Sequence, residues 1–428
     1  MRFIINGGKS LSGTIQVMGF KNAATPIIAA TVLTRQICVL ENVPKITDVL
    51  KLLSILEKMG SKQRWIGDHV LEIDNSALKL RALEGDEVSQ IRSSILLIGP
   101  LLARFGEVEF VTPGGCKIGS RPIDTHIEAF ADLGVKVDYH ESEGRYRMTA
   151  SEKIGGEALG RSPMGETWLK EFSVTATENV LMLGSKYPVK IRLAAIEPHV
   201  FDLVNFLNKL GANIRSAEAH SFETAPAGET GGKIGYRIMN DPIEAGTFAV
   251  LAAATRSDIR ILGVDAKYLE APLRKLKEFG VRFELKGDVL EVFGTKSKLS
   301  ATRVQTMPYP GLPTDLQAPF GVLATQAQGA SQIFDTMYEG RLKYIDELKK
   351  MGADAVILDP HRALISGPSV LHGAVIDSLD LRAGATLIIA ALTADGRTEL
   401  GNIEQIDRGY ENLDERLKKL GASIERIA

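Results

Sequence analysis

The chain has 428 residues, 44% hydrophobic and 24% charged, with 51 Lys and Arg against 53 Asp and Glu. A net charge of −2 excludes a general attraction to nucleic acid or an anionic membrane surface, so any anionic ligand must be held by local clusters of cations. Two cysteines, Cys38 and Cys116, are too few for a disulfide framework and suit a reducing compartment. The opening Met1-Arg-Phe-Ile-Ile-Asn-Gly-Gly8 lacks the apolar core of a signal peptide, and no apolar run reaches the roughly 18 residues that a membrane helix needs. The longest run, Ile95 to Ala103, is broken by Gly99 and Pro100. These features predict a cytoplasmic protein of two domains with no membrane or nucleic-acid partner.

In chain order, Met1 to Gly19 reads as strand-turn-strand. A helix opening at Lys21-Asn22 follows, rich in Ala and Ile on nearly all faces and therefore buried. Cys38 lies in an apolar strand pattern, Gln36 to Leu40, and reads as core. An amphipathic helix then ends in Leu56-Glu-Lys-Met-Gly60. This pair of elements recurs. Buried helices open again near Gln90-Ile-Arg92, Ser173-Val-Thr175, Glu244-Ala-Gly246, Thr314-Asp315 and Asp380-Leu-Arg382. Amphipathic helices end again at Gly134, Gly211, Gly280, Gly352 and Gly421, with successive endings 69 to 77 residues apart. A glycine there suits the left-handed position that stops a helix, and a short alternating strand follows each one. Solenoid repeats are shorter, roughly 20–50 residues, so these units read as six small α/β modules grouped three per domain. The last module needs further strands to complete its sheet and is expected to take residues 1–20, giving domains 21–239 and 1–20 with 240–428. Pro242 breaks regular structure at the second crossing.

Between the first two openings of the repeat and the third lies the sharpest local feature, Val111-Thr-Pro-Gly-Gly-Cys116-Lys-Ile-Gly-Ser-Arg121-Pro122. Its glycines and prolines rule out a regular element. Lys117 and Arg121 flank Cys116, and neighbouring cations make a thiol more acidic and more reactive. The helix starts that carry Lys21, Arg92, Asp315 and Arg382 place charges at the edge of otherwise apolar helices, where N–H groups attract phosphate and carboxylate. The histidines show no metal-ligand spacing, and neither a Walker loop nor a dinucleotide fingerprint occurs.

With these residues in view the chain resembles the enolpyruvyl transferase family over essentially its whole length. The resemblance rests on Lys21-Asn-Ala-Ala-Thr-Pro26, Pro113 to Pro122, Glu244-Ala-Gly-Thr-Phe248, Pro313 to Pro319, Asp380-Leu-Arg-Ala-Gly384 and Ile406-Asp-Arg-Gly-Tyr410. It implies an α/β fold of two inside-out barrel domains, three repeats each, and transfer of the enolpyruvyl group of phosphoenolpyruvate to the 3-hydroxyl of UDP-N-acetylglucosamine with release of phosphate. No metal or organic cofactor is implied. Lys21, Asn22, Arg121, Arg382 and Arg408 would hold phosphoenolpyruvate, with Lys21 and Arg408 acting in catalysis. Asp315 would be the general base and Cys116 the general acid or a transient covalent partner. Arg92, Arg121, Pro122, Ile123, Asp124, Thr125, Ser173, Val174 and Met337 would hold the UDP-sugar.

Phe20, Glu171, His199, Gly340 and Gln405 depart from the family's usual pattern. Three alternatives stand beside this reading. Shikimate 3-phosphate as acceptor on the same fold fits the cysteine loop less well. An RNA 3′-phosphate cyclase would need a catalytic histidine. A non-catalytic UDP-sugar-binding paralogue would have no reason to keep Lys21, Cys116, Arg121, Asp315 and Arg408 together.

Overall fold

The computed structural model describes residues 1–112, 123–150, 154, 164–226, 228 and 231–428. By their contacts the described residues form two compact units, Met1–Met18 with Asn240–Ala428, and Gly19–Met239. Phe20 belongs to the second of these, its N–H donating to the Met239 carbonyl at 2.9 Å. The fold is mixed α/β.

The six glycine endings form as their chemistry demands. Gly60, Gly134, Gly211, Gly280, Gly352 and Gly421 all have φ between 81° and 104°, the left-handed region where a side chain is strained. In each case the residue after the glycine donates its N–H back to the first apolar residue of the motif. Ser61 bonds Leu56, Val135 bonds Phe130, Ala212 bonds Leu207, Val281 bonds Leu276, Ala353 bonds Leu348 and Ala422 bonds Leu417, at 3.0–3.1 Å. This is the 6→1 bond of the Schellman motif, and it satisfies a carbonyl that the helix end would otherwise orphan.

The strand that leaves each ending enters a small sheet, and the sheets share one strand order. In the sheet built on Asp258–Leu262, Ser12–Gln16 pairs parallel with that strand, Val289–Phe293 pairs antiparallel on its other side, and Arg282–Lys286 lies outermost. Val304–Gln305, Gly329–Phe334, Arg362–Gly367 and Asp354–Asp359 repeat that plan. In the last sheet the third place is taken by the chain's first strand. Arg2–Asn6 pairs antiparallel with both Arg397–Gly401 and Ser423–Ile427, because alternating apolar Phe3 and Ile5, both fully buried, fill that face. In the Gly19–Met239 unit, Ile234–Arg237 and Gly165–Trp168 supply the parallel first strands of two sheets. In the third sheet of this unit a single parallel bridge, Leu83 to Phe110, stands in that place. No sheet closes into a barrel among the described residues.

The Ala-rich helices are buried as predicted. Residues Ile243–Ala254, Gln317–Thr325 and Leu381–Leu392 are out of solvent over their lengths, and these three helices pack on one another. In the other unit Ile98–Phe105 packs against Val174–Gly184. Small residues make the approach possible: a Cβ at Gly99 would come within 2.2 Å of the Asn179 carbonyl oxygen, and one at Gly246 within 2.6 Å of Leu316. Cys38 is fully buried, and burial pushes its thiol up to about 12, an inert core cysteine. No helix among the described residues is long and apolar enough to cross a membrane.

Candidate active site

The polar residues at the starts of the buried helices divide into those that serve the helix and those that face another charge. Asp380 Oδ1 accepts the N–H groups of Arg382 and Ala383 at 2.8 and 3.0 Å. Asp241 Oδ1 accepts those of Ile243 and Glu244 at 2.8 and 3.1 Å, and Ser173 accepts from Ala176 at 3.4 Å. These are N-caps, which satisfy donors that the helix leaves open. The Lys21–Ala30 helix and the Thr314–Leu316 turn have no such side-chain cap.

In the Gly19–Met239 unit, Lys21 makes an ion pair with Asp48 at 2.6 Å, and Asp48 is 2% exposed. Asn22 is half-buried beside it in the chain. Thr47–Lys58 places Asp48 in its first turn, where a carboxylate is favoured by the helix N–H groups. Phe20 and His199 meet edge to face at 5.2 Å, both buried. Arg92, half-buried, opens a 3₁₀ turn. Its charge acts on His126, whose Nε2 lies 2.9 Å from Thr175 Oγ1. Burial, and then Arg92, push His126 down to about 3, so the imidazole is neutral. Thr125 donates to Glu171 Oε1 at 3.3 Å. Ile123 is buried, Asp124 is exposed in the first turn of the Asp124–Asp132 helix, and Ser173 and Val174 are half-buried. Arg92, Ile123 to Thr125, and Ser173 with Val174 are thus linked through His126, Thr175 and Glu171. Cys116, Arg121 and Pro122 lie outside the described residues.

In the other unit, Asp315 receives two guanidinium groups. Arg341 Nη2 donates to Oδ1 at 2.8 Å and Arg382 Nε to Oδ2 at 3.3 Å. Arg382, 4% exposed, lies against the Tyr410 ring at 5.3 Å and has Nη2 3.9 Å from Asp241. Burial opposes its charge, but Tyr410, Asp315 and Asp241 raise the guanidinium above its ordinary range. The Tyr410 hydroxyl is 3.2 Å from Thr247 Oγ1. Arg408, at the edge of burial, donates to Gln405 Oε1 at 3.2 Å. Met337 is half-buried, its N–H held at 2.9 Å by the fully buried Asp335. Arg341, Asp48, His126 and Asp241 are the side chains that the sequence did not single out. Each acts through a partner distant in the chain, and only Arg341 adjoins a position, Gly340, that departs from the family's pattern. Among the described residues no group of His, Cys, Asp and Glu could hold a metal ion.

Asp241 carries a pH dependence of its own. Burial raises its carboxyl to about 7 against the pull of Arg382. A carboxyl raised on folding stabilises the fold below its unfolded value near 4, and that contribution is lost as pH rises through about 7. Asp241→Asn keeps a capping oxygen but cannot titrate. The wild-type advantage in urea unfolding over this variant is therefore expected to shrink between pH 4 and pH 8. A difference that grows with pH would reverse the assignment.

The EPSP synthase (3-phosphoshikimate 1-carboxyvinyltransferase) family model matches residues 5–417. The chain is 42% identical to UDP-N-acetylglucosamine 1-carboxyvinyltransferase 1 of Carboxydothermus hydrogenoformans, over 100% of this chain and 98% of that protein. It is 39% identical to UDP-N-acetylglucosamine 1-carboxyvinyltransferase of Finegoldia magna, over 98% and 97%. Among solved structures, the enolpyruvyl transferase NikO from Streptomyces tendae superposes with a TM-score of 0.88 at 25% identity, covering 99% and 98%. EPSP synthase from Acinetobacter baumannii shares the fold, with a TM-score of 0.75 at 18% identity over 99% of each chain.

Proposed function

As the chain belongs to the EPSP synthase family of carboxyvinyl transferases, we infer that it moves the enolpyruvyl group of phosphoenolpyruvate onto the 3-hydroxyl of UDP-N-acetylglucosamine and releases phosphate, the committing step of peptidoglycan precursor synthesis. The observation that carries the acceptor is end-to-end identity of 42% to a UDP-N-acetylglucosamine 1-carboxyvinyltransferase, against 18% to an EPSP synthase. We read the two units as the family's two domains, each of three α/β modules with the helices inward, and the protein as cytoplasmic.

The reaction needs a base at the attacking hydroxyl, an acid at the methylene of phosphoenolpyruvate and cations on the departing phosphate. In our reading Asp315 takes the hydroxyl proton. Cys116 supplies the acid or joins phosphoenolpyruvate transiently. The hydroxyl oxygen bonds to the carbon bearing the phosphate, and the tetrahedral adduct expels phosphate as the methylene proton is lost again. Lys21, Asn22, Arg121, Arg382 and Arg408 hold the two anionic groups of phosphoenolpyruvate, for which a guanidinium fork is well shaped. Arg92, Arg121 to Thr125, Ser173, Val174 and Met337 hold the nucleotide sugar. His126, kept neutral, positions Thr175 without adding charge beside a diphosphate.

Phosphate release from phosphoenolpyruvate tests the whole reading, with UDP-N-acetylglucosamine, shikimate 3-phosphate or no acceptor. Release with the UDP-sugar alone is expected. Release with shikimate 3-phosphate alone would transfer the assignment to that acceptor, and none with either, in folded protein, would favour a binding paralogue.

A further inference from the structure

Arg382 lies inside its unit with 4% of its side chain exposed, yet the fold does not use up its hydrogen-bonding capacity. Asp315 takes Nε at 3.3 Å, and Asp241 stands 3.9 Å from Nη2, beyond a hydrogen bond. Nη1 meets no acceptor in hydrogen-bond geometry among the described residues. The Tyr410 ring lies over this guanidinium at 5.3 Å and is itself 1% exposed. A ring face attracts a desolvated cation and can fix the plane of its fork. The ring is tethered at its far end. Thr247 Oγ1 donates to the Ile243 carbonyl at 2.8 Å, so in its 3.2 Å contact with Tyr410 the phenol is the donor. The backbone end is held too: the Tyr410 N–H donates to the Ile406 carbonyl at 3.0 Å, closing the turn that carries Arg408. A Cβ at Gly409 would come within 2.3 Å of Leu381, so a glycine lets this turn close on the start of the Leu381–Thr393 helix.

We propose that Tyr410 is a positioning residue for Arg382, its ring holding the guanidinium in the plane and direction in which the remaining N–H groups meet an anionic group of phosphoenolpyruvate. The inference rests on Arg382 being one of the cations that hold phosphoenolpyruvate in the reaction proposed above. The neighbouring carboxylates do not supply this control. Asp315 reaches only Nε, and Asp241 sits at the longer distance, so both attract the charge without fixing its tilt. Burial works against the Arg382 charge, and Tyr410 comes first among the groups that restore it, ahead of Asp315 and Asp241. Tyr410 stands two residues after Arg408, and Thr247 lies on the helix that Asp241 caps. One side chain therefore ties two other segments of this unit to the arginine. A ligand binds only the fraction of the protein in which Arg382 is correctly aimed, so loosening the ring's hold weakens the apparent affinity by that fraction.

The test compares wild type with Tyr410→Phe, which keeps the ring, and Tyr410→Leu, which removes it. In unliganded protein the NMR signal of the Arg382 Nε–Hε group, assigned by its loss in Arg382→Lys, is expected upfield of free arginine under the ring. It should stay there in Tyr410→Phe and move back in Tyr410→Leu. In phosphate release, KM for phosphoenolpyruvate is expected to rise about tenfold in Tyr410→Leu, within the roughly thirtyfold by which a desolvated cation–π contact can bias an orientation. KM for the UDP-sugar and kcat should stay within about threefold of wild type, and Tyr410→Phe should recover most of the loss. A signal that does not move in Tyr410→Leu, or KM values for both substrates that rise together, overturns the proposal. A displaced signal with an unchanged KM for phosphoenolpyruvate also overturns it, and removes Arg382 from the groups that hold this substrate. Should Tyr410→Leu fail to fold, Tyr410→Met supplies a ringless side chain that is longer and more adaptable. The Nε–Hε signal needs no substrate, so a wrong acceptor assignment leaves that readout standing.

Discussion

Asp315→Asn is expected to lower kcat by roughly 10²–10⁴-fold, the usual contribution of a positioned general base, with little change in KM for phosphoenolpyruvate. The amide has nearly the shape of the carboxylate and still accepts a hydrogen bond from Arg341 or Arg382, so the loss reads as proton transfer rather than displacement. Stability falls as well, because two largely buried guanidinium groups lose their common anion. Activity must therefore be measured below the variant's own unfolding transition. Asp315→Glu keeps the charge but lengthens the side chain, and is expected to retain more turnover than Asn while raising KM for the UDP-sugar. A kcat within tenfold of wild type in the Asn variant would remove Asp315 from the proton-transfer step. The reaction would then need its base elsewhere, and the two guanidinium groups on this carboxylate would be structural.

How much of this was legible beforehand follows from the range of the interactions. The six helix endings were readable because everything that makes them lies within six residues: an apolar residue, another three on, and a glycine. Buried helices were readable from composition alone, since Ala, Gly, Leu and Ile on every face leave no side for water. The use of the first strand in the last sheet was foreshadowed by a module short of strands. Apart from Ser12–Gln16, the parallel first strands were not read. Val304–Gln305 is two residues long and Val375–Asp377 three, too short for alternation to register. Ion pairs and long-range side-chain hydrogen bonds were least legible of all. Lys21 with Asp48, Asp315 with Arg341 and Arg382, and Thr125 with Glu171 join residues 26 to 67 positions apart. Only the folded chain decides such pairings. Charge at a helix opening marked where to look, but could not separate a cap such as Asp380 from a paired group such as Asp315.

Glu244 shows what that ambiguity costs and leads to the largest expected stability effect. It stands at a helix opening like the others, yet its carboxylate is wholly engaged in the fold. Arg416 grips it with two bonds, Nη1 to Oε1 at 2.6 Å and Nη2 to Oε2 at 3.0 Å, and the Met18 N–H donates to Oε2 at 2.8 Å. Arg416 Nη2 also donates to the Gln16 carbonyl at 2.6 Å, and its guanidinium lies 5.1 Å from the Phe248 ring. The pair therefore fastens the end of the Ser12–Gln16 strand to the helix that follows Pro242 and to the helix Leu413–Lys418. Arg416→Ala leaves Glu244, 2% exposed, as a buried carboxylate without its counter-charge, a loss expected to cost about 3–5 kcal/mol. For a unit of this size each kcal/mol moves the transition by about 2–4 °C, so Tm should fall by roughly 6–20 °C. Replacing both residues by leucine removes the uncompensated charge together with the pair. It is expected to restore much of that loss and to leave the cost of the unpaired Met18 N–H, about 1–3 kcal/mol, since water can replace Arg416 at the exposed Gln16 carbonyl. A thermal scan of the two variants beside wild type decides it. A fall of less than about 2 °C in Arg416→Ala would mean that water reaches Glu244 once the arginine is gone, and a double variant no better than the single would place the stabilisation in the backbone bonds rather than in the charge pair.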